Sequence, residues 1–153
     1  MKKIIMVALC MLLILSLVGC GTKLNNGKES SIKEGISLDV TMQVVKGTIS
    51  STSLKLCVKN NTDIEIDSGN EFDFLLEVYQ QGKWFTINTK ERNNTAEALV
   101  FMGERELEIS WENIYGSLPT GHYRIVKYFF PWTEDGTYGL KDGFYLTSEF
   151  DIE

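Results

Sequence analysis

The side chains that could carry out chemistry are few in this chain. His122 is its one imidazole, and its three cysteines are Cys10, Cys20 and Cys57. A catalytic triad or a zinc site would have to be built on His122, because both use an imidazole to move a proton or to bind the ion. No nucleophile and base stand in a recognisable arrangement. The sequence therefore predicts no catalytic residue, no metal ligand and no cofactor.

The remaining candidates favour structural roles. Cys57 stands between two apolar residues of an alternating stretch, which places it opposite the core as a partly covered, unreactive thiol. His122 follows a glycine of a turn, as exposed residues at the start of a strand usually do. Three carboxylates at alternate positions of one strand repel each other, which favours exposure over a catalytic pair. They are Glu104, Glu106 and Glu108.

The first nineteen residues differ from the rest of the chain. Lys2 and Lys3 precede a run from Ile4 to Gly19 that is apolar except at Ser16 and at Gly19 itself. A basic start before a short apolar run is typical of a secretory leader. The run is also near the lower limit of about 17 residues for a membrane span, so an uncleaved transmembrane anchor is the alternative.

The end of this leader, Leu17-Val18-Gly19-Cys20, resembles the lipobox of bacterial lipoproteins. The resemblance implies that the Cys20 thiol receives a diacylglyceryl group and that cleavage makes Cys20 the new N-terminus. Two or more acyl chains anchor a protein stably, whereas one chain holds it only marginally. We therefore expect a lipid-anchored protein on the extracytoplasmic face of a bacterial cell membrane.

Charge excludes one class of partner. Without a leader of 19 residues, 153 − 19 = 134 residues remain, which is enough for one domain with its own core. Removing Lys2 and Lys3 leaves 13 basic residues against 21 acidic ones, a net charge of −8. Nucleic-acid binding needs a basic stripe that neutralises phosphates, so no nucleic-acid partner is expected. The expected partners are the membrane, through the lipid on Cys20, and an unknown protein or cell-wall component.

The chain is expected to have three segments: a signal peptide over 1–19, the lipidated Cys20 with a flexible tether over 20–35, and one domain over 36–153. The tether is rich in Gly, Ser and Asn and has no hydrophobic period. A flexible coil of this length spans on the order of 20 Å.

Alternation of apolar and polar residues with a period of two dominates the domain and predicts strands. The predicted stretches are 36–44, 54–58, 64–66, 72–78, 84–87, 99–101, 107–111, 123–130 and 144–152. Only 112–115 could be helical, for one turn at most. Seven to nine short strands without a convincing helix predict an all-β, two-layer sandwich.

Two local features refine this prediction. The segment 81–82 contains a glycine and predicts a two-residue hairpin loop, which places Tyr79 opposite Trp84. Lys127 interrupts the alternation of the strand that begins at Tyr123, so we expect a bulge or an edge position there.

The stretch 111–127, WENIYGSLPTGHYRIVK, resembles the most recognisable part of a bacterial immunoglobulin-like (Ig-like) domain family that occurs in lipoproteins and other surface proteins. The segments 82–84 and 145–150 also fit the pattern of this family, and the resemblance covers roughly 38–152. It implies an Ig-like β-sandwich outside the cytoplasm and brings no catalytic residues. A longer segment over 131–143 departs from the family pattern.

A structural corner is expected within this stretch. In Ig-type sandwiches, a tyrosine near the start of a late strand hydrogen-bonds the backbone a few residues upstream. Tyr123 has that position, Gly121 would permit the turn, Pro119 would stiffen it, and Leu118 precedes them. The weaker alternative is that Tyr123 contacts a ligand.

The segment 130–143 is long for a hairpin loop and contains Trp132, Tyr138 and Leu140. Aromatic side chains on such loops supply stiff contact area for a partner. These residues form either a binding loop or a lid that folds back on the core.

Three classes of function remain. The sequence favours a non-enzymatic surface module that binds a partner. The second class is a peptidase-inhibitor-like protein, because small bacterial inhibitors resemble this sandwich and its corner. The third is an enzyme, which would need a pocket that joins His122 to carboxylates.

Overall fold

The computed structural model describes residues 24, 26–33, 35, 39–89, 98–132 and 142–153. Within these residues there are ten strands and one helical turn, α1 (Glu112–Tyr115). The strands are β1 (Asn26–Glu29), β2 (Val40–Val44), β3 (Ser53–Asn60), β4 (Ile66–Asp67), β5 (Leu75–Gln80), β6 (Lys83–Ile87), β7 (Val100–Phe101), β8 (Gly103–Ser110), β9 (Gly121–Pro131) and β10 (Phe144–Ile152).

The strands form two antiparallel sheets. The larger sheet has the order β1-β6-β5-β9-β4-β7, with β10 paired to the opposite side of β9, and the smaller has the order β2-β3-β8. Apolar side chains from both sheets join in one core. The predicted all-β sandwich is confirmed, and β9 pairs with three strands, β4, β5 and β10.

Alternation places every second side chain in the core. On β3, Leu54, Leu56 and Val58 are buried, whereas Lys55 and Cys57 between them are more exposed. Burying one such apolar side chain contributes on the order of 1.5–3 kcal/mol to folding.

The hairpin between β5 and β6 has the predicted register. Gln81 and Gly82 both have positive φ, 52° and 81°, which a two-residue turn of this twist requires. Tyr79 lies opposite Trp84, as predicted from the length of the loop.

The N-terminal segment departs from its prediction. The flexible tether expected over 20–35 contains β1, which pairs antiparallel with β6, so the expectation of a coil is corrected there. Gly27 explains the close approach, because a Cβ at this position would overlap the side chain of Thr86. The hydrophobic period could not reveal β1, since the strand is polar and is held by backbone pairing.

Lys127 marks a second departure. The expected bulge or edge is wrong, because β9 pairs with β10 in unbroken register past Lys127 and has β5 and β4 on its other side. Lys127 is 1% exposed. Its Nζ donates to the carbonyl oxygens of Asn70 at 3.0 Å and Asp73 at 2.9 Å. Asp73 belongs to the stretch 72–78 that was predicted as a strand, and Asn70 precedes that stretch. In the structure β5 begins only at Leu75, so both residues lie before the strand. A buried ammonium that is hydrogen-bonded in this way costs far less than a bare one.

The strand predicted over 64–66 is also shorter in the structure. β4 contains Ile66 but not Ile64, which is 48% exposed. The side-chain amide of Asn60 donates to the carbonyl oxygen of Ile64 at 2.8 Å and holds a turn ahead of the strand.

Candidate interaction surface

The outer face of the seven-stranded sheet carries aromatic and charged side chains beside the β5–β6 hairpin. Val78, Tyr123 and Phe150 are buried in the core, so their chain neighbours point outward. We call this outward set the His122 face. It consists of Glu77 and Tyr79 on β5, Trp84 on β6, His122 and Arg124 on β9, and Glu149 and Asp151 on β10.

His122 lies between two carboxylates of β10. Its Nδ1 is 2.7 Å from Asp151 Oδ1, and its Nε2 is 3.0 Å from Glu149 Oε2. An ionised carboxylate can only accept hydrogen bonds, so both bonds form together when both ring nitrogens carry a proton. The hydrogen bond to Asp151 is the largest cause that raises the pKa of His122 above its ordinary 6.5, and the bond to Glu149 adds to it. Burial acts in the opposite direction. The geometry is that of an imidazolium.

Two aromatic rings flank the imidazole. The ring centroids of Tyr79 and Trp84 are 5.0 Å apart, with their planes tilted by 56°. The His122 ring lies 5.4 Å from Trp84 and meets Tyr79 edge-on at 5.7 Å. The three rings form one contiguous cluster, and Tyr79 is 45% exposed.

A buried ion pair lies on the same face. Both Nε and Nη2 of Arg124 are 2.6 Å from Glu77 Oε2. The Glu77 side chain is fully buried, and that of Arg124 is 11% exposed. The guanidinium packs on the Trp84 ring, with Cζ 4.6 Å from the ring centroid, in a cation–π contact. Glu77 Oε1 has no hydrogen-bond partner within the described part of the chain.

In this arrangement neither ring nitrogen of His122 is free to act as a general base. A general base needs a ring nitrogen that can reach the substrate, and both nitrogens of His122 are engaged by carboxylates. Three open depressions of about 640, 300 and 550 Å³ have other linings, and none of the three includes His122. Among the described residues, no group of three or more His, Cys, Asp or Glu could hold a metal ion. The face is instead an open surface of rings and charges.

The outer face of the three-stranded sheet is built from exposed pairs. Lys55 meets Glu108 at 2.8 Å, and Lys59 meets Glu104 at 2.8 Å. Cys57 lies between the two lysines, and its Sγ donates to Glu104 Oε1 at 3.3 Å. Burial is the largest cause that raises the pKa of the Cys57 thiol, and the hydrogen bond to Glu104 is the second largest. The thiol is therefore protonated at neutral pH, and the glutamates are exposed, in keeping with the sequence-based expectation.

The residues predicted for the corner lie together. The Tyr123 hydroxyl donates to the carbonyl oxygen of Pro119 at 2.7 Å, and the Tyr123 side chain is buried. Burial raises the pKa of Tyr123 to about 12. Leu118 is buried too, and its backbone N–H donates to the carbonyl oxygen of Ser51 at 2.8 Å. These contacts turn the phenol inward, away from any ligand at the surface.

Gly121 differs from its expected role of permitting the turn. The positive φ nearest in the chain, 79°, is at Gly116. At Gly121, an added Cβ would lie 3.1 Å from two atoms of the Tyr123 side chain. Gly121 therefore provides room for the tyrosine ring and is not required by the backbone conformation.

The predicted binding loop over 130–143 is described only at its two ends, 130–132 and 142–143. Trp132 is half-buried, and its backbone N–H donates to the carbonyl oxygen of Glu65 at 2.9 Å. Tyr138 and Leu140 lie outside the described residues, as do Cys20 and the predicted leader. Within the described ranges, no helix has the length and hydrophobicity needed to cross a bilayer.

Sequence reasoning did not find the His122 face. Alternation alone places His122 on the outer face of the sheet once Tyr123 points into the core. The hairpin loop likewise sets Tyr79 opposite Trp84. The missing information was the register of β9 against β10, which sets Asp151 opposite His122. The connection between these strands is too long to determine that register.

Comparison with family models matches residues 34–150 to a bacterial Ig-like domain. Comparisons with curated proteins and with solved structures return no match. The matched range includes β2 to β9, most of β10 and every member of the His122 face except Asp151. On the strength of this match over most of its length, the chain belongs to the bacterial Ig-like domain family.

Proposed function

We propose that this protein is a non-enzymatic, lipid-anchored binding module on the extracytoplasmic side of a bacterial membrane, and that its partner contacts the His122 face. One observation carries the choice of surface: Tyr79, Trp84 and His122 form a ring cluster on an open sheet face. Grouped aromatic side chains at a surface are typical of interaction sites.

The composition of the face supports this choice. Trp, Tyr and Arg are the residue types that most often dominate binding energy at protein interfaces. Arg124 packs on the ring of Trp84 and is itself held by Glu77. Side chains that are ordered before binding lose less conformational entropy when the partner arrives, which favours affinity.

The family supports a role without catalysis. Ig-like domains of this family are generally non-catalytic. The engagement of both His122 nitrogens by carboxylates points the same way, since it leaves no ring nitrogen for a substrate.

The lipid anchor is inferred from the leader and from Cys20, together with the position of β1. Asn26, the first residue of β1, is 26 − 20 = 6 residues from Cys20, so about 20 Å of extended chain would join the lipid to the sandwich. Because β1 pairs with β6, such an anchor would hold the domain closer to the bilayer than a free tether over 20–35 would.

The surface is tested by Tyr79→Ala, with Phe72→Ala as the matched control. Phe72 is 46% exposed, close to Tyr79 at 45%, but lies outside the His122 face. Tagged full-length protein in native membranes would be cross-linked, and the captured partners would be compared by mass spectrometry. We expect Tyr79→Ala to lower capture by about thirtyfold or more, the range of an interface hot spot, and Phe72→Ala to leave it unchanged. Equal capture by both variants and the wild type would contradict the proposed surface.

The anchor is tested by intact-mass measurement of protein extracted from membranes. We expect a mass for a chain that begins at a diacylated Cys20, and loss of membrane retention in Cys20→Ala. A protein that still carries Met1, or a Cys20→Ala form that stays in the membrane, would show that the anchor is wrong.

The peptidase-inhibitor-like alternative makes a different prediction in the same experiment. The captured partner would be a peptidase, and the purified protein would inhibit that enzyme in a peptidase panel.

A further inference from the structure

The His122 face carries more negative than positive charge. Its carboxylates are Glu77, Glu149 and Asp151, and Arg124 is its one permanent cation. The face has a net charge of −2 when His122 is neutral and −1 when it is an imidazolium. Glu77 Oε1 also has no hydrogen-bond partner among the described residues, so Arg124 satisfies only part of this charge.

Resting on the proposed function, we infer that the partner is a polypeptide that presents a Lys or Arg side chain to this face. The cation would lie between Glu149, Asp151 and the rings of Tyr79 and Trp84. We call this place the cation seat. In the structure, the ring of His122 occupies the position between the two carboxylates.

The chemistry of the seat fits a basic side chain. The Glu149 and Asp151 side chains are 57% and 72% exposed, so both carboxylates remain accessible to a partner. Aromatic faces attract cations, and this protein already stacks one guanidinium on Trp84. The net charge of −8 without the leader adds a longer-range attraction for a basic segment.

A glycan fits less well. The rings of Tyr79 and Trp84 are tilted by 56°, so together they offer no flat aromatic platform to a sugar chain. One face of Trp84 is also occupied by Arg124. An acidic partner would be repelled by the carboxylates.

His122 and the incoming cation compete for the same carboxylates. A neutral imidazole has one N–H, so one of the two carboxylates loses its donor when the ring is deprotonated. Binding of a basic side chain should therefore strengthen as pH rises through the pKa of His122. By linkage, the bound cation must lower that pKa.

The other charged groups near the His122 ring do not reverse the expected increase of binding with pH. On β5, Glu77 is paired with Arg124 of β9, and Tyr79 contributes its ring. On β6, Lys83 is paired with Glu29 of β1. Glu149 and Asp151 of β10 are the carboxylates already counted.

The experiment uses the full chain in detergent micelles and the NMR signals of its single histidine. The probes are a soluble peptide of alternating Lys and Gly, and matched peptides with Glu or Ser in place of Lys. We expect only the Lys peptide to shift the His122 signals, to lower the pKa of His122, and to bind about five- to tenfold more tightly near pH 8.5 than near pH 5.5. A Lys peptide that binds with no pH dependence, or no more tightly than the Ser peptide, would overturn the cation seat.

Matched variants separate the seat from overall charge. Asp151→Asn and Glu149→Gln should each weaken binding of the Lys peptide, whereas Glu106→Gln on the other sheet removes the same charge and should leave binding unchanged. Equal weakening by all three would overturn the seat in favour of non-specific attraction. Two-dimensional NMR spectra establish that each variant is folded.

The outcomes also distinguish this inference from the proposed function. If Tyr79→Ala abolishes native capture but the Lys peptide does not bind, the face is a binding surface and the cation seat is wrong. A cell-wall oligosaccharide that shifts the His122 signals where the Lys peptide does not would assign the face to a glycan. Concentration-dependent dimerisation that Tyr79→Ala removes would assign it to a second copy of the chain. If neither capture nor peptide binding depends on the face, both proposals fail.

Discussion

The two outer faces of the sandwich both carry ion pairs, but the pairs differ in their exposure to solvent. On the three-stranded sheet, the side chains of the pairs Lys55–Glu108 and Lys59–Glu104 are 42% to 80% exposed. On the seven-stranded sheet, Arg124–Glu77 is almost entirely buried, and the ring of Trp84 packs against Arg124.

The difference shows that a count of charges does not describe how a surface is organised. Exposed pairs are solvated and screened, so they contribute little to shape or to stability. A buried pair holds its neighbours in one geometry, because separating it leaves an uncompensated charge in the interior. On the His122 face, this geometry holds Trp84 within a cluster of rings, whereas the other face presents exposed charges to water.

The largest expected effect comes from Arg124→Ala, compared with Lys55→Ala. Removing the guanidinium leaves the buried Glu77 carboxylate unpaired, so the free energy of unfolding should fall by about 3–5 kcal/mol. Lys55→Ala removes an exposed cation and should leave the urea midpoint unchanged. Equal effects in urea denaturation would show that the two faces do not differ as described.

Tyr123→Phe separates stability from the surface. Tyr123 lies on β9 between His122 and Arg124 but points inward, and its hydroxyl is the donor to Pro119. Losing this bond should lower the free energy of unfolding by about 1–3 kcal/mol, as expected for a buried carbonyl left unsatisfied. The NMR signals of His122 should not move. An unchanged urea midpoint would mean that the corner bond contributes nothing.

A smaller effect is expected from the pH dependence of the His122 pairs. The pKa of His122 is raised in the folded protein, so its stabilising contribution is fully present below the unfolded value of 6.5 and is lost as pH rises through the folded value. Wild type should be more stable than His122→Gln near pH 5.5, by about 1 kcal/mol or less because the pairs are partly exposed. The difference should vanish near pH 8.5. A difference that grows with pH in urea titrations would contradict the observed pairing.

The smallest effect concerns Cys57 on the other face. Glu104→Gln removes the carboxylate whose hydrogen bond and charge both raise the pKa of the thiol, but burial, the largest cause, remains. The rate of alkylation of Cys57 at constant pH, measured by peptide mass spectrometry, should increase by less than about tenfold, the change that one pKa unit would produce. A slower rate in Glu104→Gln would show that Glu104 does not act on the thiol in this way.

Several parts of the fold could be predicted from local patterns. Alternation identified β2, β3, β8, β9 and β10, because a strand with one buried face must repeat every second residue. The two-residue loop at 81–82 determined which residues of β5 and β6 face each other. Local patterns failed where side chains hydrogen-bond to the backbone. The strand predicted over 72–78 begins only at Leu75, and the buried Lys127 donates to backbone carbonyls of the segment before that strand.

The sequence by itself determined the fold class, the single imidazole, the excess of acidic residues and the inward position of Tyr123. Only the tertiary structure decided that β1 pairs with β6 and that His122 meets Glu149 and Asp151. The physical reason is that alternation is a property of one strand, whereas a surface cluster depends on the register between strands. The register of β9 against β10 relates two separate strands, and the residues that meet His122 on that surface are 27 and 29 positions away in the chain.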